Sequence, residues 1–341
     1  MRILLANPRC YCAGVGRAVR IVELAIERFG PPIHVRKEIV HNSYVVESLR
    51  DRGAVFVDEL TDVPPGALVI FSAHGVAPPV HQEAQQRSLR VIDATCPLVR
   101  KLHLEVLRFV DAGYHIILIG QEGHDEVVGT VGHAPEDVTL IENVEQAQTK
   151  PVPKHEKLMV LTQTTRGVED TQSVVQALRA RFGHLELPPA DDICYATQNR
   201  QNAVRAMCER GIDLLLVVGS RNSSNAQRLL EVGQVRQVPG HLIDGPDELE
   251  PGWLDGASTV GVTGGASTPE EVVQAVVKRL RTLGADEVEA CTTAEEDTVF
   301  ELPSVLRSHL AAESYDPAQE RAASRPGSPT RSPRQTRERS C

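Results

Sequence analysis

Three cysteines are the residues whose positions most directly suggest chemistry. Cys12, Cys96 and Cys194 each stand immediately before a segment with the apolar periodicity of an amphipathic helix. The dipole and free N–H groups at a helix N-terminus stabilise a thiolate, which is the form that binds metals. A lone cysteine more often fills a core. Three in equivalent positions instead predict a shared metal site.

The spacing of these cysteines does not identify the metal. Structural zinc sites and ferredoxin-type clusters use short CxxC-like spacings, and no two of the three cysteines lie close together in the chain. On a cubane of four irons, three thiolates would leave one iron open to a substrate oxygen, where it could act as a Lewis acid and electron donor. Zinc and an iron–sulfur cluster are both compatible with this pattern.

Polar residues follow the predicted strands and form a second set of candidates. Imidazole, hydroxyl and amide groups near helix starts suit an anion such as a phosphate, which helix N–H groups also bind. Any single Ser or Asn there is equally typical of an ordinary N-cap. Convergence on one point favours a ligand site built from His41, His124, Ser223, Ser224 and Asn225 in the first loops and from His74, Thr164, Thr165 and Ser267 in the second.

Glu126 is the candidate proton donor, because a carboxyl group near a metal and an anion could relay protons. Its neighbour Asp125 could take the same role. A solvated residue in the first turn of a helix is an equally good interpretation of Glu126. The residues alone do not decide between these readings.

An internal repeat predicts how these residues are positioned. Three segments begin with the cysteines, continue as helices and become β-branched strands: CAGVGRAVRIVELAIERFG then PIHVR, CPLVRKLHLEVLRFVDAG then YHIILIG, and CYATQNRQNAVRAMCERG then IDLLLVVGS. Each is followed by a second strand-to-polar-loop step. Alternating helices and strands predict parallel sheets, in three α/β units over residues 13–95, 97–193 and 195–285. Ligands then gather at the carboxyl ends of the strands.

Length and charge exclude several classes of protein. The chain has 341 residues and a formal net charge of −10, which argues against wholesale nucleic-acid binding. It has no apolar run of membrane length, and its start reads as a strand rather than a signal peptide. Seven scattered cysteines fit reduced thiols or metal ligands. We therefore expect a cytoplasmic protein, with a disordered Ser, Pro and Arg-rich tail over residues 311–341.

Nearly every loop of the repeat resembles the 4-hydroxy-3-methylbut-2-enyl diphosphate reductases, the IspH/LytB family. The resemblance spans about residues 1–310 and is carried by NPRCYCAGVGRAV, EIVHNSYVV, FSAHGV, DATCPLV, GHDEVVGTVG, LTQTT, DDICYATQNRQNAV, VGSRNSSN and VTGGASTP. It implies a pseudo-threefold trefoil of three repeated α/β domains around one 4Fe-4S cluster. The expected domains are residues 1–96 with the N-terminal strand, 97–193 and 194–285, followed by a packed extension over 286–310.

The resemblance also implies the reaction and the role of each residue. The activity is reductive dehydroxylation of an allylic diphosphate to isopentenyl and dimethylallyl diphosphate, with ferredoxin or flavodoxin as electron donor. Glu126 would supply protons and Thr164 would contact the substrate hydroxyl. Cys12, Cys96 and Cys194 would bind the cluster, and the diphosphate would be held by His41, His74, His124, Ser223, Ser224, Asn225 and Ser267.

Cys10 departs from the family pattern, which usually has a small residue there. We expect it to be a spare side chain rather than an alternative ligand or an oxidation-sensitive site. Cys208 and Cys291 are assigned outside the site. Two other functions remain open from the residues: a zinc-dependent phosphate-ester hydrolase using the same cysteines and histidines, and a phosphometabolite-binding protein without catalysis.

Overall fold

The structure is a computed structural model that describes residues 1–188 and 193–310. The predicted disordered tail, residues 311–341, lies outside the described residues. Within them, no helix is long and apolar enough to cross a membrane.

Helices and strands alternate along the chain, as the repeat predicts. The helices are α1 (Ala13–Phe29), α2 (Ser43–Asp51), α3 (Pro78–Gln86), α4 (Pro97–Asp111), α5 (Asp125–Val131), α6 (Val144–Thr149), α7 (Val168–Arg181), α8 (Tyr195–Glu209), α9 (Ser224–Val235), α10 (Glu270–Thr282) and α11 (Ser304–Leu310). The strands are β1 (Arg2–Asn7), β2 (Ile33–Arg36), β3 (Ala54–Val57), β4 (Leu68–Phe71), β5 (Arg90–Asp93), β6 (His115–Ile119), β7 (Val138–Ile141), β8 (Leu158–Thr162), β9 (Leu185–Glu186), β10 (Leu214–Val218), β11 (Gly240–Ile243), β12 (Thr259–Gly264) and β13 (Glu287–Thr292).

The strands of the described residues form three sheets, and the prediction of parallel sheets is confirmed. The strand orders are β3-β2-β4-β5, β7-β6-β8-β9 and β11-β10-β12-β1-β13. Every strand pair within them is parallel. We call the three sheets with their helices the first, second and third lobes. In each of these orders, the first four strands occupy corresponding places, and the third sheet adds β13 at its edge. The repeat in the sequence is therefore a repeat of whole lobes.

Apolar periodicity explains why these segments fold as they do. The strands β6 and β10 are buried along their whole length, as expected for central strands with helices on both faces. The helix α1 buries one face, which includes Ile21, Val22 and Leu24, in the core of the first lobe. Burying each such side chain contributes about 1.5–3 kcal/mol. Local pattern and packing therefore agree in each lobe.

The N-terminal strand corrects one prediction. We grouped β1 with the first domain, but it lies in the third lobe between β12 and β13. There it takes the place that β5 and β9 hold in the other two sheets. A strand at the start of the chain can complete a distant sheet because pairing depends on tertiary contacts, which a repeat read along the chain does not reveal. The domain boundaries themselves stay a prediction.

The segment after the third lobe packs back onto the fold. The strand β13 extends the third sheet, while Leu302 and Leu306 are buried in the core of the first lobe. Residues 286–310 thus connect two lobes.

Candidate metal centre and anion pocket

One pocket contacts all three lobes and contains the predicted site residues. Among the described residues, its lining includes the three cysteines, the three histidines and the hydroxyl and amide side chains of both sets of loops: Cys12, Cys96, Cys194, His41, His74, His124, Glu126, Thr164, Thr165, Ser223, Ser224, Asn225 and Ser267. Residues spread over most of the chain therefore meet at the carboxyl ends of three sheets. The spatial convergence that the repeat predicted is present.

Each cysteine lies at the boundary between two lobes. Cys12, Cys96 and Cys194 are the N-cap residues of α1, α4 and α8. They follow β1, β5 and β9, the fourth strands of the three sheets. A cysteine thus ends one lobe and begins the first helix of the next.

The backbone fixes all three cysteines in the same way. The N–H of Cys12 donates to the Ala266 carbonyl at 3.2 Å, and that of Cys96 donates to the Ala73 carbonyl at 2.9 Å. The N–H of Cys194 donates to the Thr164 carbonyl at 3.1 Å. Each acceptor belongs to the second polar loop of the lobe that precedes the cysteine. Each candidate ligand cysteine is therefore held by hydrogen bonding to the second polar loop of the preceding lobe.

The thiols approach each other closely around Gly14. A Cβ atom on Gly14 would lie 2.6 Å from the Cys96 Sγ and 3.9 Å from the Cys12 Sγ. Burial, with a smaller contribution from the neighbouring Cys12, raises the pKa of the Cys96 thiol to about 12 and that of Cys194 to about 11. Thiols with a pKa raised this far ionise together only when a cation compensates their charge. The donor set therefore fits a multi-iron cluster, which thiolates hold.

The histidines of the first and second lobes form a compact group. The rings of His41 and His74 stack with centroids 4.0 Å apart, and His124 packs edge-on against His41 at 5.3 Å. Burial lowers the pKa of His124 to about 4 and holds the pKa of His74 well below its usual range. The rings of His74 and His124 are thus neutral before a ligand binds. Each then has one N–H to donate.

Two of these histidines also lie close enough to Asp125 to hold a metal ion together with it. Donor atoms of His41, His74 and Asp125 all lie within 4.8 Å of one another. Imidazole and carboxylate groups are common zinc ligands, so the zinc-dependent hydrolase remains an alternative to be tested.

Glu126 lies at the start of α5 and is almost fully enclosed, with 2% of its surface exposed. Its carboxylate accepts a hydrogen bond from the Thr164 N–H at 2.7 Å and another from the Thr164 hydroxyl at 2.9 Å. Burial raises the pKa of Glu126 to about 7, although the two Thr164 hydrogen bonds lower it. Asp125, the competing candidate, is more exposed. The geometry favours Glu126 for proton transfer near neutral pH.

The third lobe supplies hydroxyl and amide groups. Ser223 caps α9 by accepting from the Ala226 N–H, and its hydroxyl lies 3.4 Å from that of Ser267. The Asn225 Oδ1 accepts from the Ala266 N–H at 2.8 Å, which fixes the orientation of the amide. The Asn225 Nδ2 is buried and has no hydrogen-bond partner among the described residues. An orphaned donor in a polar pocket points to an anionic ligand.

Two arginines that the sequence reading missed support the cysteine loops. Arg200 on α8 has no exposed surface and donates to the Cys10 carbonyl at 2.7 Å, and it pairs with Glu296 at 3.0 Å. Arg17 on α1 donates to the Ala94 and Thr95 carbonyls, both at 3.2 Å. Both follow a cysteine by nearly the same number of residues. Aligning the repeats on the cysteines would have shown this pattern.

Cys10 lies outside the pocket lining. It is buried with φ at 60° and packs in the apolar core under the third sheet. Burial raises its thiol pKa well above the usual range. Cys208 and Cys291 pack in the other core of that lobe. Neither Cys10, Cys208 nor Cys291 lines the pocket. That Cys10 is a spare side chain stays a prediction.

Fold and site together define a three-lobed, parallel α/β protein whose lobes meet at one pocket lined by cysteines and polar side chains. A family model described as "LytB protein" matches residues 3–281. The chain therefore belongs to the LytB family.

Curated relatives and solved structures agree with this assignment. A 4-hydroxy-3-methylbut-2-enyl diphosphate reductase of Mycolicibacterium paratuberculosis is 55% identical over 308 residues, which cover 90% of this chain and 92% of the relative. The enzyme of the same name from Mannheimia succiniciproducens is 54% identical over 310 residues, covering 90% of this chain and 98% of the relative. The solved E-1-hydroxy-2-methyl-but-2-enyl-4-diphosphate reductase of Plasmodium falciparum superposes with a TM-score of 0.87 at 38% identity, covering 92% of this chain and 99% of that one.

Proposed function

We propose that the chain is a reductase of (E)-4-hydroxy-3-methylbut-2-enyl diphosphate, forming isopentenyl and dimethylallyl diphosphate in the last step of the methylerythritol phosphate route. The names of its curated relatives support this activity. The carrying observation is that three thiols, a buried carboxyl group and an orphaned amide donor line one pocket. Reduction of an anionic allylic alcohol can use each of them: thiols to hold a redox centre, a carboxyl group to give a proton and an amide to bind the anion.

The cofactor is one 4Fe-4S cluster, held by Cys12, Cys96 and Cys194. When bound, the cluster would supply electrons one at a time to the substrate. The cysteines anchor the cluster at the first turns of three helices, where the helix dipoles stabilise thiolates. Removing any one thiol would leave the neighbouring helix without its metal contact.

The diphosphate binds where the polar loops meet. The rings of His41, His74 and His124 each donate an N–H, and the Asn225 Nδ2 supplies a donor with no competing partner among the described residues. The N-terminus of α9 adds backbone N–H groups and a favourable dipole. The remaining hydroxyl donors are Ser223, Ser224 and Ser267. An anion can thus be bound without lysine.

Glu126 and Thr164 act on the substrate hydroxyl. The overall change adds two electrons and two protons, breaks the allylic C–O bond and releases water. Because burial raises its pKa to about 7, the Glu126 carboxyl is protonated in a useful fraction of molecules near neutrality. Thr164 bonds to Glu126 through its hydroxyl and lines the same pocket, so it can orient the leaving oxygen.

The electron donor is an external protein such as ferredoxin or flavodoxin. The reaction consumes two electrons for each substrate molecule, so the metal centre must be reduced again for each turnover. A small soluble carrier meets this need.

Anaerobic purification followed by turnover with a reduced dye tests the proposal. We expect a brown protein with visible sulfur-to-iron absorption, about four irons per chain and both allylic and homoallylic diphosphate products. A colourless, zinc-rich protein that releases phosphate from esters would instead establish the hydrolase alternative. A protein that binds the diphosphate without changing it would be the non-catalytic alternative.

A further inference from the structure

The outward face of α4 combines exposed leucines with positive charge next to a metal-binding cysteine. Leu104 is 59% exposed and Leu107 is 39% exposed, whereas the opposite face of the helix is buried in the second lobe. Arg100, Lys101 and Arg108 share the outward face. A single exposed leucine needs no explanation. Two on one helix face, flanked by three cations, have the composition of an interaction surface.

This face, which we call the α4 surface (Arg100, Lys101, Leu104, Leu107 and Arg108), begins one helical turn from Cys96. The Arg100 N–H donates to the Cys96 carbonyl at 2.9 Å. With a rise of about 1.5 Å per residue, Leu104 lies about 12 Å along the helix axis from Cys96. Electron tunnelling slows steeply with distance, so a carrier must dock close to the centre. The α4 surface is an outer surface that meets this condition.

Charge indicates which partner fits. The chain carries a net charge of −10, so an acidic protein is repelled by most of its surface. Glu105 on α4 is only 16% exposed and lies 3.5 Å from the Lys101 ammonium group, and the exposed Asp111 ends the helix one turn beyond Leu107. The three cations of this face thus outnumber its one exposed carboxylate. The cations therefore form a local attractive patch. Such a patch steers an acidic partner and orients it.

We propose that the α4 surface is the docking site for an acidic one-electron carrier protein, with the leucines at its centre and the cations at its rim. The inference rests on the proposed reductase function. Two copies of this chain meeting symmetrically through this face would bring like charges together, which disfavours a dimer here. The arginine-rich residues 321–340 have the same sign of charge and do not complement it.

A double charge reversal tests the docking site. We compare R100E/R108E with the control R279E/R281E, which reverses two exposed arginines on α10 in the third lobe. Turnover is measured with reduced ferredoxin and, separately, with reduced methyl viologen, which needs no docking surface. We expect the KM for ferredoxin to rise about tenfold or more in R100E/R108E. Viologen-driven turnover and iron content stay within twofold of the parent protein, and the control keeps the parent ferredoxin KM.

Salt gives an independent readout. The parent protein's KM for ferredoxin rises with ionic strength because salt screens the attraction. The R100E/R108E variant loses most of this dependence. A Leu104→Asn variant, which keeps all charges, raises the ferredoxin KM while retaining the salt dependence.

Several results would overturn the proposal. One is an unchanged ferredoxin KM in R100E/R108E, and another is an equal rise in the control variant. Binding of the parent protein, but not the variant, to phosphatidylglycerol vesicles with unchanged ferredoxin kinetics would assign the surface to a membrane instead. Absence of viologen-driven turnover in the parent protein would contradict the reductase function itself. If that turnover is normal, a negative ferredoxin result contradicts the docking site alone.

Discussion

At the residue scale, the proposed reaction depends on a carboxyl group that is still partly protonated near neutral pH. Glu126 is enclosed by protein, and its two oxygens accept hydrogen bonds from Thr164. Burial disfavours the carboxylate, while these hydrogen bonds favour it. The balance places the pKa of Glu126 at about 7. The sequence made Glu126 the candidate but left open both Asp125 and a solvated role for Glu126, because burial of one neighbour and not the other is a tertiary property.

Replacing Glu126 by Gln should lower turnover by about 100-fold or more, the usual contribution of a positioned acid. The amide keeps the size of the side chain but cannot give up a proton in this way. The control is Asp125→Asn, which should stay within a few-fold of the parent. Steady-state rates and iron content are measured for both variants. Near-normal turnover in E126Q with a full iron content would exclude Glu126 as the proton source.

The pH dependence follows from the same side chain. Below a pH of about 7 the Glu126 carboxyl holds its proton and can act as an acid, and above that pH the donating form is lost. We therefore expect kcat/KM for the diphosphate to fall as pH rises through about 7. Thr164→Val removes the hydroxyl hydrogen bond that lowers this pKa, so the falling limb should move to higher pH. If the pH at which kcat/KM falls is the same in Thr164→Val as in the parent protein, a group other than Glu126 causes the fall.

At the element scale, three helices that begin at cysteines carry the centre. Their N-termini are fixed by backbone hydrogen bonds to the loop of the preceding lobe. The repeat in the sequence predicted the helices and their first residues. The spacing of Arg17 and Arg200 from their cysteines marks the two arginines as equivalent, but it does not predict their carbonyl partners, which are far away in the chain and carry no side-chain signal.

Gly14 offers a test within a single helix turn. A Cβ on Gly14 would lie 2.6 Å from the Cys96 Sγ, whereas a Cβ on Gly16 meets nothing within 4 Å. Gly14→Ala should displace the thiol and reduce the iron content to less than half that of the parent. Gly16→Ala should keep the iron and gain up to about 1 kcal/mol of stability. Equal iron contents in the two variants, measured after anaerobic purification, would contradict the close packing of Cys96.

Arg200 offers a test of the loop supports. Arg200→Gln leaves Glu296 and the Cys10 carbonyl without their buried cationic partner. The free energy of unfolding should fall by about 3–5 kcal/mol, the usual cost of breaking a buried pair. Arg205→Gln on the same helix, whose partner Glu169 is half-exposed, should lose less than about 1 kcal/mol. Urea unfolding of both variants measures the difference, and similar losses would argue against a special role for Arg200.

At the scale of the whole molecule, the three lobes are linked in a ring. Each lobe's fourth strand leads into a cysteine that begins the next lobe, and the N-terminal β1 closes the ring by completing the third sheet. The sequence predicted three repeated units because periodicity and spacing are local properties. It misplaced β1 because strand partners at opposite ends of a chain are chosen by packing.

The central claim is that the protein reduces an allylic diphosphate with two electrons. Its most direct test measures the number of electrons consumed per molecule of product under strictly anaerobic conditions. Reduced methyl viologen is mixed with the parent protein and (E)-4-hydroxy-3-methylbut-2-enyl diphosphate, and dye oxidation and products are followed together. The account predicts two electrons consumed per molecule of isopentenyl plus dimethylallyl diphosphate, with no phosphate released. Phosphate release without dye oxidation, or no product from a protein with its full iron content, would contradict it.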